Sequence, residues 1–286
     1  MNIGIVGYGV VGHHLAEIFE RGSDPVVIYD KYLDAYSGAE RKEEINSCRI
    51  VFVAVPTPAR SDGSCDISAI EDAVGWIERP ICIKSTIPPL TTNGLVAATG
   101  KRIVFSPEYV GETPFHKYKT FQIPDVVVVG GERELCAVVT SAYRDILGPN
   151  PQYFETSAIT AELAKYMENC FFAAKVSFVA QFFQLAASFG ADFTQMREIW
   201  VADTRVGRSH STIIGDLGFG GRCLPKDLAA IIHRAMEVGA PVELLRAIQM
   251  FNDTVHSDKC RRAIGMESCD PTVKEGDHET LVVSAD

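Results

Sequence analysis

The sequence predicts an α/β protein in two parts, a doubly wound sheet followed by an all-α domain on a long central helix. Three observations carry this reading. Short Val- and Ile-rich runs alternate with helical patterns through the first half. A glycine-rich turn, Gly7-Tyr8-Gly9-Val10-Val11-Gly12, joins the first run to the first helical pattern. From about Ser157 the chain then continues to Gly190 without Pro or Gly, with apolar residues at helical spacing. The strand candidates are Ile3–Val6, Val26–Tyr29, Ile50–Val55, Ile81–Lys84, Ile103–Phe105 and Val126–Val129, continuous apolar runs suited to a parallel sheet covered on both faces. Val11–Arg21 and Ser68–Ile77 are helical candidates between them. The long segment of about 33 residues would extend roughly 50 Å as a helix. It is apolar over more than one face, which predicts burial between domains or subunits. Shorter helices are expected around Phe193–Ala202, Asp227–Val238 and Val242–Asp258. The expected division is residues 1–156, 157–258, and a polar tail at 259–286 in which Leu281-Val282-Val283 could dock as an edge strand.

Composition narrows the function. The 286 residues are 47% hydrophobic, enough for a core, and the net charge of −10 with no Lys/Arg-rich run argues against a nucleic-acid binder. No run of about 18 uncharged apolar residues is present, so no membrane span is expected. The start, Met1-Asn2-Ile3-Gly4, lacks the basic region of a signal peptide. Eight cysteines with no CxxC pair read as reduced cytoplasmic thiols rather than disulfides or a metal site.

In the glycine-rich turn, Gly7 permits the tight bend, Gly9 lets a pyrophosphate approach the backbone, and Gly12 allows close helix–sheet packing. The pyrophosphate would rest on the N–H groups opening the helix at Val10 and Val11. Asp30 closes the second strand 18 residues after Gly12, where a carboxylate accepts from ribose hydroxyls and repels a 2′-phosphate, favouring NAD. A turn that merely needs glycines is the alternative. With strand, helix and acid in register, the segment reads as a Rossmann-like dinucleotide site.

Further motifs follow later strands, at the edge where such sheets bind ligands. Val55-Pro56-Thr57-Pro58 is by itself a strand terminator. Lys84-Ser85-Thr86-Ile87-Pro88-Pro89 and Ser106-Pro107-Glu108-Tyr109-Val110-Gly111-Glu112 bring hydroxyls and two carboxylates there, although Glu108 and Glu112 could equally be solvated on a turn. Lys165 and Asn169 share a helix face. They form either a satisfied polar patch at an interface or an oxyanion and water-positioning pair, whereas Glu162 and Glu168 read as ordinary helix charges. Gly218-Phe219-Gly220-Gly221-Arg222-Cys223-Leu224-Pro225-Lys226-Asp227 runs from glycines through a cysteine into a helix with an early acid. The helix dipole and a nearby lysine would stabilise a thiolate there. A buried structural thiol is the alternative, and it is the expected state of Cys48, Cys82, Cys136 and Cys170.

Taken together these segments resemble the UDP-glucose/GDP-mannose dehydrogenase family, from Met1 to about Asp258. The landmarks are GYGVVG, Asp30, VPTPARSDGSCDIS (55–68), KSTIPPLTT (84–92), SPEYVGE (106–112), AELAKYMENCFFAAK (161–175), DTRVGRSH (203–210) and GFGGRCLPKD (218–227), in family order. The resemblance implies a two-step, NAD-dependent oxidation of a nucleotide-sugar C6 alcohol to the acid through a covalent bond to Cys223. It further implies that Lys165 stabilises the oxyanion, that Asn169 and Asp227 position water and share proton transfers, and that Thr86 and Glu108 complete the acid–base network with Glu108 as base. Gly7, Gly9, Val10, Val11, Gly12, Asp30, Lys31, Pro56, Thr57, Thr86 and Glu112 would hold NAD. Arg205, Lys165, Gly220 and Gly221 would meet the substrate, Arg205 from a neighbouring subunit of a homodimer built on the long helix.

Two departures stand beside the resemblance. Family members carry a third, nucleotide-binding domain, whereas here about 28 residues follow Asp258. An arginine common after the Asp30 position is replaced by Lys31. Three expectations result: an active dehydrogenase with a smaller substrate or a separate nucleotide-binding chain, a catalytically weak NAD-binding subunit, or a β-hydroxyacid-type dehydrogenase, against which the cysteine segment argues.

Overall fold

The computed structural model describes residues 2–109, 124–213 and 217–256. Packing divides the chain into two compact units, Met1–Phe171 with Gly221–Leu245, and Phe172–Gly220 with Arg246–Asp286. The boundary falls inside the long helix.

The first unit is a seven-stranded sheet in the order β2-β1-β3-β4-β5-β6-β7, comprising β1 (Ile3–Val6), β2 (Val26–Tyr29), β3 (Ile50–Val53), β4 (Ile81–Ile83), β5 (Ile103–Phe105), β6 (Val126–Gly131) and β7 (Gln152–Thr156). The first five strands are parallel, as the Val/Ile runs predict. β6 pairs antiparallel with β5 and parallel with β7, a strand not expected from the sequence. The reason is visible in β7: Gln152, Phe154 and Glu155 are exposed on an edge, so no buried apolar run marks it.

Strand alternation feeds two cores. Ile3, Ile5, Ile50 and Phe52 face α1 (Val10–Phe19) and α5 (Arg133–Leu147). Val6, Val51, Val53, Ile81 and Ile83 face Ile45 of α2 (Ala39–Ser47), Ile70 of α3 (Ser68–Trp76) and Leu95 of α4 (Thr91–Thr99). Helices thus cover both faces, the doubly wound arrangement. α6 (Ala158–Phe189) begins in this unit, with Ala161 in the second core. α8 (Leu224–Glu237) returns to it.

The second unit contains the later part of α6, α7 (Phe193–Ala202) and the end of α9 (Glu243–Val255). Ala180, Leu217 and Val255 form its small core, joined by Phe183 and Phe251. Lys175 ties the loop after α7 by donating to Val206 O at 3.0 Å and Gly207 O at 2.8 Å.

Within one chain α6 is buried over only part of its circumference. Met167, Phe171 and Phe189 are 77%, 59% and 84% exposed, because one chain packs against only part of the helix circumference. By length and composition α6 could cross a membrane. Its buried Glu162 and Asn169 are instead bonded to α4 and α8, as in a core helix. The tail at 259–286, with the edge strand expected at 281–283, lies outside the described residues.

Candidate functional site

The chain leaves β1 for β2 on one side and reaches β3 on the other, so the carboxyl ends of β1 and β3 flank the topological switch point where such sheets take ligands. Gly7 turns there with φ +94°, and a Cβ on it would stand 2.5 Å from Ala54 O. A Cβ on Gly12 would stand 2.0 Å from Gly7 O, so helix and turn meet backbone to backbone. Gly9 differs: space within 4 Å of its would-be Cβ is open. It caps α1 with no side-chain hydrogen bond, and the first turn carries no acid. Val10 is half exposed on that turn, and Val11 packs on the core. The arrangement fits a pyrophosphate: open backbone, uncapped N–H groups and no competing carboxylate.

Asp30 follows β2. Its Oδ2 accepts from Tyr8 N at 2.7 Å and its Oδ1 from Tyr32 N at 2.8 Å. The acid therefore shapes the glycine-rich turn. Lys31 is exposed, with its ammonium 3.9 Å from Asp72. Pro56 is exposed after β3. Thr57 is buried and donates to Thr86 O at 2.9 Å, binding the loops after β3 and β4 together. Glu112 lies outside the described residues.

A second group of predicted residues meets around α6 and α8. Lys165 Nζ lies 3.3 Å from Glu168 and 4.7 Å from the Tyr109 ring centroid. One turn later Asn169 Nδ2 donates to Asp227 Oδ2 at 2.5 Å. Lys226 donates to the other oxygen of Asp227, also at 2.5 Å. Asp227 is 1% exposed and lies one turn beyond Cys223, its N–H bonding Cys223 O at 2.9 Å. Cys223 is the N-cap residue of α8, with Pro225 in the first turn. It is the one exposed cysteine among those described; Cys48, Cys65, Cys82, Cys136 and Cys170 are buried. Burial pushes the thiols of Cys82 and Cys170 up to about 12 and those of Cys48 and Cys136 to about 11, so these stay protonated at neutral pH. Glu108, after β5, sits 3.4 Å from Lys84 and receives Tyr109 N at 2.8 Å. Glu108, Tyr109, Lys165, Asn169, Asp227 and Cys223 thus form a continuous line of contacts and chain neighbours.

In the second unit Arg205 is 88% exposed and held by Asp203. Gly220 and Gly221 have open space where a Cβ would stand, and Gly221 has φ +77°. No group of three His, Cys, Asp or Glu able to hold a metal occurs among the described residues.

Sequence reasoning missed two buried charges. Glu162, read as an ordinary helix charge, is 0% exposed and caps α4, taking Leu90 N at 2.7 Å, Thr92 N at 2.9 Å and the Thr92 hydroxyl at 2.6 Å. Leu90 enters α4 with φ +76°, so a distant carboxylate supplies the cap that its own sequence lacks. Lys84 was read only as part of a strand-end motif and is 4% exposed. The available signal was a charge inside an otherwise apolar run, for Lys84 directly after Ile81–Ile83.

A glycine-rich turn at a switch point, a helix N-terminus left open and an acid after β2 define a dinucleotide-binding protein. The chain belongs to the UDP-glucose/GDP-mannose dehydrogenase family: residues 16–147 match its NAD-binding domain and residues 159–254 its central domain. The cofactor of this domain is NAD. YtcA of Bacillus subtilis is 34% identical over 233 residues, covering 76% of this chain and 53% of that protein. A UDP-glucose 6-dehydrogenase of Pseudomonas aeruginosa is 31% identical over 232 residues, covering 75% and 50%. The chain spans about half the length of these relatives. A UDP-glucose dehydrogenase structure from Pyrobaculum islandicum superposes with a TM-score of 0.76 at 28% identity, over 88% of this chain and 68% of that one.

Proposed function

We propose that the protein oxidises the C6 alcohol of a nucleotide sugar, of the UDP-glucose type, to the carboxylate in two NAD-dependent steps. The observation that carries this is Cys223, exposed at the start of α8 and one turn from Asp227, which is bonded to Asn169. Nicotinamide would supply the hydride acceptor, one NAD for each of the two oxidations.

Glu108 takes the proton of the alcohol, and Lys165 supplies positive charge to the oxygen as negative charge develops. Once the aldehyde has formed, the Cys223 thiolate adds to its carbon. The carbonyl electron pair moves to oxygen, which takes a proton to give a thiohemiacetal. That carbon again bears a hydrogen and a hydroxyl, so a second oxidation is open to it and the aldehyde cannot diffuse away. The resulting thioester is attacked by a water positioned by the bonded pair Asn169 and Asp227, which releases the acid and restores the thiol. Thr86, Glu112, Pro56, Thr57 and Lys31 complete the cofactor and proton-transfer surroundings, and Gly220 and Gly221 give the sugar access to backbone.

The active unit is a homodimer through α6, working in the reducing cytoplasm. Support comes from the exposed stripe Leu163, Met167, Phe171, Phe178, Phe182 and Phe189, recurring at three- to four-residue or double spacing. In this arrangement Arg205 reaches the partner's substrate, its planar fork suited to anionic oxygens. Sedimentation of the full chain should give a dimer, and a monomer at micromolar concentration overturns this part.

A second reading is an NAD-binding subunit of low intrinsic activity, favoured by the match of residues 16–147 to the NAD-binding domain. One assay separates the two. The chain is mixed with NAD and UDP-glucose or GDP-mannose, and NADH is followed by absorbance. Two NADH per sugar, lost in Cys223→Ser, supports the first reading. NAD binding without turnover supports the second. Full turnover in Cys223→Ser overturns the covalent chemistry.

A further inference from the structure

Lys84 is a lysine at the end of a central strand, buried to 4% exposure. Its ammonium lies 3.4 Å from Glu108 Oε2 and donates to Ser106 Oγ and to Pro107 O, each at 3.2 Å. It also sits 5.4 Å from the centroid of the Tyr143 ring, whose π-face favours a cation. The Glu108 side chain is 11% exposed. Its second oxygen, Oε1, takes Tyr109 N at 2.8 Å. Both carboxylate oxygens are therefore held, one by a cation rooted after β4 and one by backbone. The side chain cannot swing without breaking one of these contacts.

Burial by itself drives a carboxyl toward its protonated form, in which it cannot accept a proton. An adjacent ammonium opposes that drive. Among the described residues, the groups facing Glu108 include Lys84 after β4, His14 from α1, Tyr143 from α5, and its neighbour Tyr109. Cys82 lies behind, beside Tyr143 and Lys84. Burial lowers His14, keeping it neutral at pH 7. It pushes Tyr109 and Cys82 up to about 12 and Tyr143 well above its ordinary value. None of these neighbours contributes charge at neutral pH. Lys84 is in direct contact with Glu108 and compensates its charge, while Lys165 lies against the Tyr109 ring.

We propose that Lys84 is a positioning residue for Glu108, holding its carboxylate ionised and fixed in direction for proton transfer without itself meeting the substrate. The inference rests on the reading of Glu108 as base. It assigns a function to the lysine of the strand-end motif that the chemistry had left unused.

The test has two readouts on the full chain. The first needs no substrate. Melting temperature is measured against pH for the wild type, Lys84→Met, Glu108→Gln and the double variant. The component of the profile that Glu108→Gln removes reports the proton affinity of Glu108. In Lys84→Met that component should move at least one pH unit upward, a tenfold or greater rise in proton affinity. The double variant, with no unpaired buried charge, should melt above Lys84→Met. The second readout is turnover with NAD and UDP-glucose. Lys84→Met should lower kcat at least tenfold at pH 7, shift the acid limb of its pH profile upward, and leave KM for NAD within about twofold. The double variant should be no slower than Glu108→Gln alone.

An unshifted Glu108 component in Lys84→Met overturns the inference. So does a double variant at least tenfold slower than Glu108→Gln, since Lys84 would then act independently of the carboxylate. Wild-type turnover in Glu108→Gln instead removes the base assignment, and the inference falls with it, by a result that cannot be confused with the other two. If Lys84→Met is too unstable to assay, Glu108→Gln against the double variant still decides.

Discussion

The N-termini of α1 and α8 solve the same electrostatic problem in opposite ways. A helix N-terminus presents unsatisfied N–H groups and the positive end of the dipole, and it favours an anion. At α1 the chain supplies none. Gly9 caps without a side chain, the first turn has no acid, and the space beside it is open. At α8 the chain fills the place itself: Asp227 stands in the first turn, buried, and bonded by Lys226 and Asn169. One terminus is left open. The other has its charge set internally, with Cys223 at its edge. Volume should therefore govern the first site and charge the second.

Three changes test that contrast, in descending order of effect. Asp227→Asn keeps the volume and removes the charge. Turnover should fall about 10²-fold or more, in the range of lost proton-transfer groups, with NAD affinity unchanged by calorimetry. Unchanged turnover would mean that the α8 charge is structural only. Gly9→Asp gives α1 the acid that α8 has. NAD affinity should weaken about tenfold or more by repulsion of the pyrophosphate. The melting temperature should hold or rise, because Gly9 has an ordinary φ of −80° and a carboxylate there is worth roughly 0.3–1 kcal/mol to the helix. Equal affinity in Gly9→Asp would break the assignment of this turn to the cofactor.

The smallest expected effect is on stability, at the third capped helix. Glu162→Ala leaves Leu90 N and Thr92 N without their acceptor and should cost about 1–3 kcal/mol by denaturant titration. Burial raises the Glu162 carboxyl above its ordinary value, despite the donors from Thr92 and Leu90 that pull it down. The folded state then binds its proton more tightly than the unfolded one. The proton-linked part of its stabilisation is full below the ordinary carboxylate range and is lost as pH rises through the raised value. The stability gap between wild type and Glu162→Ala should accordingly narrow as the pH is raised through that window. A gap that widens instead would contradict the raised value.

Much of the first unit was legible because its signals are local. The parallel strands are continuous Val/Ile runs, and the glycine-rich turn has its own steric logic at Gly7 and Gly12. Residues at i and i+4, such as Lys165 and Asn169, share a face wherever a helix forms. β7 was missed because an edge strand with exposed polar and aromatic residues carries no buried run. The stripe on α6 is exposed in one chain because apolar periodicity reports what a helix can bury, not what one chain provides to cover it.

By itself the sequence determined the strand and helix pattern, the turn that fits a dinucleotide, and the cysteine that opens α8. These follow from backbone geometry and residue chemistry acting over a few positions. Only the tertiary structure decided where the buried charges go: Glu162 to the start of α4, 70 residues away at Thr92, Lys84 to Glu108, and Asn169 to Asp227 across 58 residues. A charge can enter a core only if a partner meets it there. Which partner does so is fixed by the packing of segments distant in the chain, and no local pattern encodes it.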